Sequence, residues 1–212
     1  MTKPERTRSK GQDAEDKQQR NWKDLNLDIG AATLAGGRPN NEDSLGVFIP
    51  VQQQDLPSQL HGIASTVNPE RLGEKGILLT VADGMGGGRA GKTASNLAVN
   101  RLGDHYFDEA HRPNIELDLI DSVVEANKAV YSVASTSSLL PGSEETPGST
   151  MVAAVFHDDR VYIANVGDSR AYLVRGKHIE QITKDHVPKV GSHLLTRSLG
   201  ERSRVEVDTF EH

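Results

Sequence analysis

The sequence of 212 residues contains no cysteine, and only 4% of its residues are aromatic. Without cysteine the chain cannot form disulfides or thiolate metal sites, and it has no cysteine nucleophile. It also lacks any apolar run near the roughly 20 residues that a membrane-spanning helix needs, and its N-terminal stretch lacks the apolar centre of a signal peptide. These absences predict a cytoplasmic protein.

A surplus of basic charge is missing as well. The 24 Lys and Arg residues are outnumbered by 30 Asp and Glu residues, which gives a formal net charge of -6. Such a chain has no broad electrostatic attraction to nucleic-acid phosphates or anionic lipids. We therefore expect neither nucleic acid nor a membrane as its main partner.

Residues 1–24 are rich in charge and poor in apolar side chains. This composition predicts a disordered charged tail, followed by a single domain over residues 25–212. Within that domain, the alternation at Leu27 and Ile29 predicts a strand, and SLGVFI after Asp43 predicts its neighbour in a sheet.

The middle of the chain passes from strands to helices. The polar stretch from Pro50 to Lys75 predicts a long connection, and the apolar run ILLTVA after it predicts a strand in the middle of a sheet. Apolar residues at helical spacing then predict two amphipathic helices. In the second helix these residues are Leu117, Ile120, Val124, Tyr131 and Ala134.

The segment from Ser149 to His186 contains three or four strand-like runs. Short turns at 158–159, 167–168 and 176–177 separate them, and such turns allow only antiparallel neighbours. Strands, then helices, then a strand meander predict an α+β fold with antiparallel sheets.

The stretch VADGMGGGRAGKTAS permits two interpretations. From Gly86 to Thr93 it matches G-x-x-x-x-G-K-T, the pattern of a phosphate-binding P-loop. A P-loop requires a strand that runs directly into its first glycine, whereas here Asp83 intervenes and would repel a triphosphate. A P-loop NTPase therefore ranks third among our hypotheses, because Lys92 is more simply part of the first turn of a helix.

The second interpretation is a metal ligand. Mg²⁺ and Mn²⁺ prefer oxygen ligands, and a carboxylate at the end of a rigid strand, such as Asp83, holds an ion in a fixed place. A sharp turn at Gly84 would let its carbonyl join the same ion, which would explain the missing side chain. A tight turn without metal is the alternative.

Five stretches share the order and approximate spacing of motifs in the metal-dependent protein phosphatases, the PPM or type 2C family. They are RPNNEDSLGVF, VADGMGGGRAGKTAS, GSTMVAAVF, ANVGDSRAYLVRGKHIEQITKDH and LLTRSLG. The chain resembles the bacterial-type branch of this family from about Leu25 onwards. The resemblance implies a sandwich of two antiparallel β-sheets flanked by helices, with two Mn²⁺ or Mg²⁺ ions. It also implies hydrolysis of phosphoserine and phosphothreonine in proteins, in opposition to a Ser/Thr kinase.

The resemblance assigns three residues to the metals. Asp83 would bridge the two ions, and Gly84 would offer its carbonyl to one of them. Asp168, in NVGDSR, matches a position that holds a third, weaker ion in some relatives, and a structural carboxylate in a turn is the equal alternative. His186, in TKDH, is expected to be structural.

Three further residues would act on the substrate and on water. Arg38 would hold the substrate phosphate through its planar guanidinium, with a surface arginine in a turn as the alternative. Glu42 and Asp43 would orient metal-bound waters. For Asp43 the alternative is a helix cap or turn.

The sequence departs from the family at two points that bear on activity. Met85 stands where animal-type members have a histidine that protonates the leaving group. Relatives continue past VEVDTFEH into a second Asp-Gly and an Asp-Asn that complete the metal site, whereas this sequence stops at His212. The resemblance therefore implies the N-terminal part of a phosphatase domain with its last strands missing. A non-catalytic phosphoprotein-binding or regulatory module is the alternative.

Overall fold

A computed structural model describes residues 27–49, 64–67, 75–108, 114–137, 146–192 and 194–212. The predicted tail over residues 1–24 lies outside the described residues. The first elements in chain order are β1 (Leu27–Gly30), β2 (Asp43–Phe48), β3 (Ala64–Val67), β4 (Ile77–Met85), α1 (Gly88–Tyr106) and α2 (Ile115–Ser137). They are followed by β5 (Gly148–Ser149), β6 (Met151–His157), β7 (Arg160–Val166), β8 (Tyr172–Arg175), β9 (His178–Gln181) and β10 (Asp208–Glu211).

The main sheet is antiparallel and has six strands. Five of them lie in the order β10-β7-β6-β4-β2, and β5 pairs with the end of β4. Ile77 and Leu78, at the start of β4, are both fully buried although they point to opposite faces. The predicted central position of ILLTVA is thereby confirmed, because a continuous apolar run suits a strand that is covered on both sides.

The two faces of this sheet are covered by different elements. Helices α1 and α2 pack on the face that carries Leu78 and Val155. Strand β1 packs on the opposite face, where Ile29 contacts a cluster that includes Ile77 and Phe156. The predicted α+β fold with antiparallel sheets flanked by helices is confirmed.

Two predicted strand pairings are wrong. Strand β1 pairs with β3, not with β2, and β3 lies inside the stretch that was predicted to be a long connection. The turn at 167–168 does not join paired neighbours either, because the chain leaves the sheet at Gly167 and, among the described strands, β8 pairs with β9 alone. Strand β10 takes the place beside β7 instead. Alternation identifies a strand but not its partner, since the same pattern fits any neighbour.

Both predicted helices are present, and Ala134 of the predicted stripe on α2 is buried, but the rest of the buried face is not the predicted one. Leu117 is 46% exposed, whereas Leu119, Val123 and Val130 are buried. Apolar residues occur in adjacent pairs along this helix, so two neighbouring stripes both fit a period of 3.6 residues. Packing against the sheet selects one of them. No helix in the described part of the chain combines the length and apolar character that a bilayer span requires.

We predict that Leu119→Ala lowers the free energy of unfolding by about 2–5 kcal/mol, because it leaves a cavity in the core between α2 and the sheet. The control is Leu117→Ala on the same helix, for which we expect a change within about 0.5 kcal/mol. Urea denaturation monitored by circular dichroism measures both. Equal losses in the two variants would contradict the observed orientation of α2.

Candidate functional site

Asp43 and Asp83 form the centre of the candidate site. They are direct cross-strand partners in the β2–β4 pair, at the end of β4 that leads into α1. Asp83 has the same side-chain direction as Leu79 and Val81, so it points away from the helices. The two carboxyl groups lie close enough for Asp43 to raise the pKa of Asp83.

The electrostatic environment of Asp83 brings Arg38 and Asp168 into the same site. Burial raises the pKa of Asp83 to about 6, and the neighbouring charge and hydrogen bond of Asp43 add to this effect. Asp168 raises the pKa further, and the Arg38 guanidinium lowers it. Residues from three separate motifs therefore influence the pKa of Asp83 at one end of the sheet, and their predicted roles at a metal site stay predictions.

The two outer members of this group lie on loops. The Arg38 amide closes a turn by donating to the carbonyl of Ala35, 3.2 Å away, and Gly36 within that turn has a φ of +60°. The Arg38 side chain is exposed, which leaves its guanidinium accessible to a ligand. Asp168 is half-buried in the loop after β7.

Glu42 directly precedes β2, and its side chain contacts the start of α1. Its Oε1 accepts a hydrogen bond from the Gly88 amide over 2.8 Å, and Gly87 at the N-cap has no side chain for this purpose. A carboxylate at this position satisfies an otherwise free amide and interacts favourably with the helix dipole. Glu42 thus stabilises the start of α1, and its predicted role in orienting metal-bound water stays a prediction.

Gly84 lacks a side chain for a reason that differs from the predicted one. It does not form a sharp turn, because β4 continues through Met85 and Gly84 is not among the glycines with positive φ. A Cβ at Gly84 would lie 2.0 Å from the Gly91 carbonyl oxygen of α1 and 2.9 Å from that of Glu42. The glycine allows the helix to approach the strand. The proposed contact of its own carbonyl with a metal stays a prediction.

The geometry does not support a P-loop. All neighbours of β4 are antiparallel, so within the described residues it lacks the parallel strand that a P-loop requires. The Lys92 ammonium donates to the Asp43 carbonyl oxygen over 2.6 Å, and the Thr93 hydroxyl donates to the Arg89 carbonyl. Both side chains are engaged in holding α1 together and against β2.

Sequence reasoning missed Ser149 and Thr150, which contact Asp83 from the GSTM motif. The Ser149 hydroxyl donates to the Asp83 carbonyl oxygen over 3.1 Å, and the Thr150 hydroxyl accepts from the Asp83 amide over 2.9 Å. Both residues are fully or almost fully buried. The available signal was a pair of hydroxyl residues directly before an apolar strand, where buried polar groups need partners.

The donor chemistry of the site fits a hard divalent cation only in part. Asp43, Asp83 and Asp168 supply carboxylate oxygens, the ligands that Mg²⁺ and Mn²⁺ prefer. Across the described ranges, however, no three His, Asp or Glu side chains form a group that could hold a metal by themselves. The described residues therefore supply some of the oxygen ligands of a metal site but not a complete set.

Comparison with known proteins identifies the family. The family model described as Protein phosphatase 2C matches residues 53–206, which is more than half of the chain. The chain belongs to this family. The matched range includes Asp83, Gly84 and Asp168, whereas Arg38, Glu42 and Asp43 precede it.

Individual relatives agree with this assignment. The chain is 36% identical over 157 residues to the serine/threonine phosphatase stp of Listeria innocua, an alignment that covers 65% of this chain and 61% of the relative. The chain thus spans about three fifths of that relative's length. The crystal structure of Stp1 from Staphylococcus aureus superposes with a TM-score of 0.62 and 26% identity, and the match covers 88% of this chain and 70% of Stp1.

A second solved structure contains metal. The catalytic domain of the phosphatase PstP, in complex with two manganese ions, superposes with a TM-score of 0.56 and 26% identity. The match covers 88% of this chain and 72% of that domain. This PP2C family member therefore shares its fold with solved bacterial Ser/Thr phosphatases.

We predict that Asp83→Asn raises the free energy of unfolding of the metal-free protein by about 1 kcal/mol at neutral pH, after discounting for solvent screening. A carboxyl group whose folded pKa is raised from 3.8 to about 6 destabilises the fold increasingly as pH rises through that interval. An asparagine amide can donate to Asp43 without needing a proton.

Thermal unfolding in EDTA, at pH 4 and at pH 7.5, measures this effect. The gain from Asp83→Asn should be present at pH 7.5 and shrink towards pH 4, where the wild-type carboxyl group is largely protonated. Glu180→Gln on exposed β9 is the control for removing one negative charge. A loss of stability in Asp83→Asn at pH 7.5 would contradict the inferred repulsion.

Proposed function

We propose that this chain is the N-terminal part, over residues 25–212, of a metal-dependent protein phosphatase domain that hydrolyses phosphoserine and phosphothreonine. The observation that carries the proposal is the opposed pair Asp43 and Asp83, which interacts with Asp168 and Arg38 in a member of the PP2C family. Like-charged carboxyl groups held together at a cost are typical of a site that binds a cation.

Each residue around Asp83 has a separate proposed role. When bound, Mn²⁺ or Mg²⁺ would activate a water and neutralise charge on the phosphoryl oxygens. Asp83 and the Gly84 carbonyl would hold two ions, and Asp168 would serve a third. Asp43 would orient a metal-bound water beside Asp83. Arg38, with an exposed guanidinium, would bind the substrate phosphate through two parallel hydrogen bonds.

The substrates would be phosphorylated proteins, and the activity would oppose a Ser/Thr kinase. Support comes from relatives named as serine/threonine phosphatases in several bacteria. A chain without cysteine is consistent with work in the cytoplasm.

A non-catalytic phosphoprotein-binding module is the second candidate. It is favoured by the absence, among the described residues, of a three-residue group that could hold a metal alone. In that case Arg38 would bind a phosphate that no activated water attacks.

The decisive experiment measures Mn²⁺-dependent hydrolysis of p-nitrophenyl phosphate and of a phosphothreonine peptide. It compares the 212-residue chain with the complete reading frame of its gene. We expect little turnover by the 212-residue chain and substantial turnover by the complete product. Asp83→Asn should lower the latter by about a hundredfold or more, because the metal site loses its shared ligand, while Glu180→Gln leaves it unchanged.

Other outcomes would select another function. Binding of the phosphopeptide without turnover, in the complete product with Mn²⁺, would favour the binding module. ATP binding that Lys92→Ala abolishes would restore the P-loop hypothesis.

We predict that Arg38→Lys raises KM for the phosphopeptide about tenfold and changes kcat less, because a lysine keeps the charge but loses one of two hydrogen bonds. Steady-state kinetics on the complete product measures this change. Arg175→Lys on exposed β8 is the matched control. An unchanged KM in Arg38→Lys would remove Arg38 from the phosphate site.

A further inference from the structure

Thr150 links the main chain of Asp83 on β4 to the loop that carries Asp168. It stands between β5 and β6 and is 1% exposed. Two hydrogen bonds join it to Asp83: the Asp83 amide donates to the Thr150 hydroxyl over 2.9 Å, and the Thr150 amide donates to the Asp83 carbonyl over 2.9 Å. The backbone of Asp83 is therefore held by Thr150 on both its polar groups.

The same hydroxyl also reaches the loop that carries Asp168. Thr150 Oγ1 lies 2.7 Å from the Ser169 hydroxyl oxygen. A threonine hydroxyl has one proton and two lone pairs, so it can accept from Asp83 and share a second hydrogen bond with Ser169 at the same time. One buried oxygen thus links the residue that follows Asp168 to the main chain of Asp83.

The methyl group of Thr150 contacts the residue on the other side of Asp168. A Cβ at Gly167 would lie 2.7 Å from Thr150 Cγ2, so the methyl group packs directly on the glycine. Gly167 has a φ of +104°, a conformation that residues with side chains rarely adopt. Both branches of the Thr150 side chain therefore touch the three-residue loop 167–169.

The opposite side of this loop is held by His186 and Asn165. The Gly167 amide donates to His186 Nδ1 over 2.9 Å, and the His186 amide donates to the Gly167 carbonyl over 3.0 Å. The Asn165 side-chain amide donates to the same carbonyl over 3.3 Å. The loop is thus held by Thr150 on one side and by His186 and Asn165 on the other, and Thr150 is the residue among them that also contacts Asp83.

We propose that Thr150 is a positioning residue, whose hydroxyl fixes Asp168 relative to Asp83 and thereby sets the affinity of the site for a divalent cation. This inference rests on the proposed function, since it assigns both carboxylates to a metal site. Partners behind the ligands of a metal site orient them and typically change metal affinity by about 10- to 100-fold when removed.

The test compares Thr150→Val, which removes the hydroxyl, with Thr150→Ser, which keeps it. Thr80→Val is the matched control, because Thr80 is also a buried threonine of the same sheet but its hydroxyl donates to the Val152 carbonyl, away from the loop. Binding of Mn²⁺ to the complete product of the gene, carrying each substitution, is followed by electron paramagnetic resonance. Amide hydrogen exchange is measured on the same variants without metal.

We expect Thr150→Val to weaken Mn²⁺ binding about tenfold or more, and Thr150→Ser and Thr80→Val to stay within about threefold of wild type. The Asp83 amide should exchange faster in Thr150→Val than in the other variants. Equal Mn²⁺ affinity in Thr150→Val and wild type would overturn the inference.

Failure of the proposed function gives a different result. If the complete wild-type product binds no Mn²⁺ at millimolar concentration, the proposed metal site is wrong, and the claim about cation affinity is wrong with it. The exchange data then decide the structural part on their own, and an unchanged Asp83 amide in Thr150→Val overturns that part as well.

Discussion

Two carboxyl groups face each other across neighbouring strands, and the rest of the site is arranged around that contact. Like charges directly opposite in an antiparallel pair destabilise a sheet, and burial increases the cost. The pair Asp43 and Asp83 persists because the register of β2 and β4 is maintained along six residue pairs, from one end of β2 to the other. Local repulsion is thus imposed by the pairing of apolar and small residues further along the strands.

Helix α1 reinforces that register from behind. The Ser44 and Ser95 hydroxyls are 2.8 Å apart, the Ser95 hydroxyl donates to the Glu42 carbonyl over 2.5 Å, and Lys92 donates to the Asp43 carbonyl. These contacts require a close approach of helix and sheet, which Gly84 and Gly91 permit. The glycine-rich stretch that resembles a P-loop therefore serves packing, and the packing holds the carboxylates in place.

The site is assembled from chain segments with different kinds of support. Asp43 and Asp83 lie on strands, so their separation follows from sheet geometry. Asp168 lies on a loop, and its place depends on buried side chains such as Thr150 and His186. A loop residue that is fixed by several buried hydrogen bonds can match the precision of a strand residue, because moving it would leave polar groups unpaired in the interior.

The sequence by itself determined the fold class, both helices and most of the strands, and it predicted a candidate site from motif order. Periodicities of two and 3.6 residues report local conformation, and motif order reports the family, without any need for coordinates. It did not determine the partner of β1, the buried stripe of α2 or the reason for Gly84. Each of these depends on which distant segment packs against the residue, and several choices satisfied the same local pattern. Only the tertiary structure decided them, and only it showed that Thr150 joins Asp83 to the loop of Asp168, because a hydrogen bond between residues 67 positions apart leaves no periodic trace in the sequence.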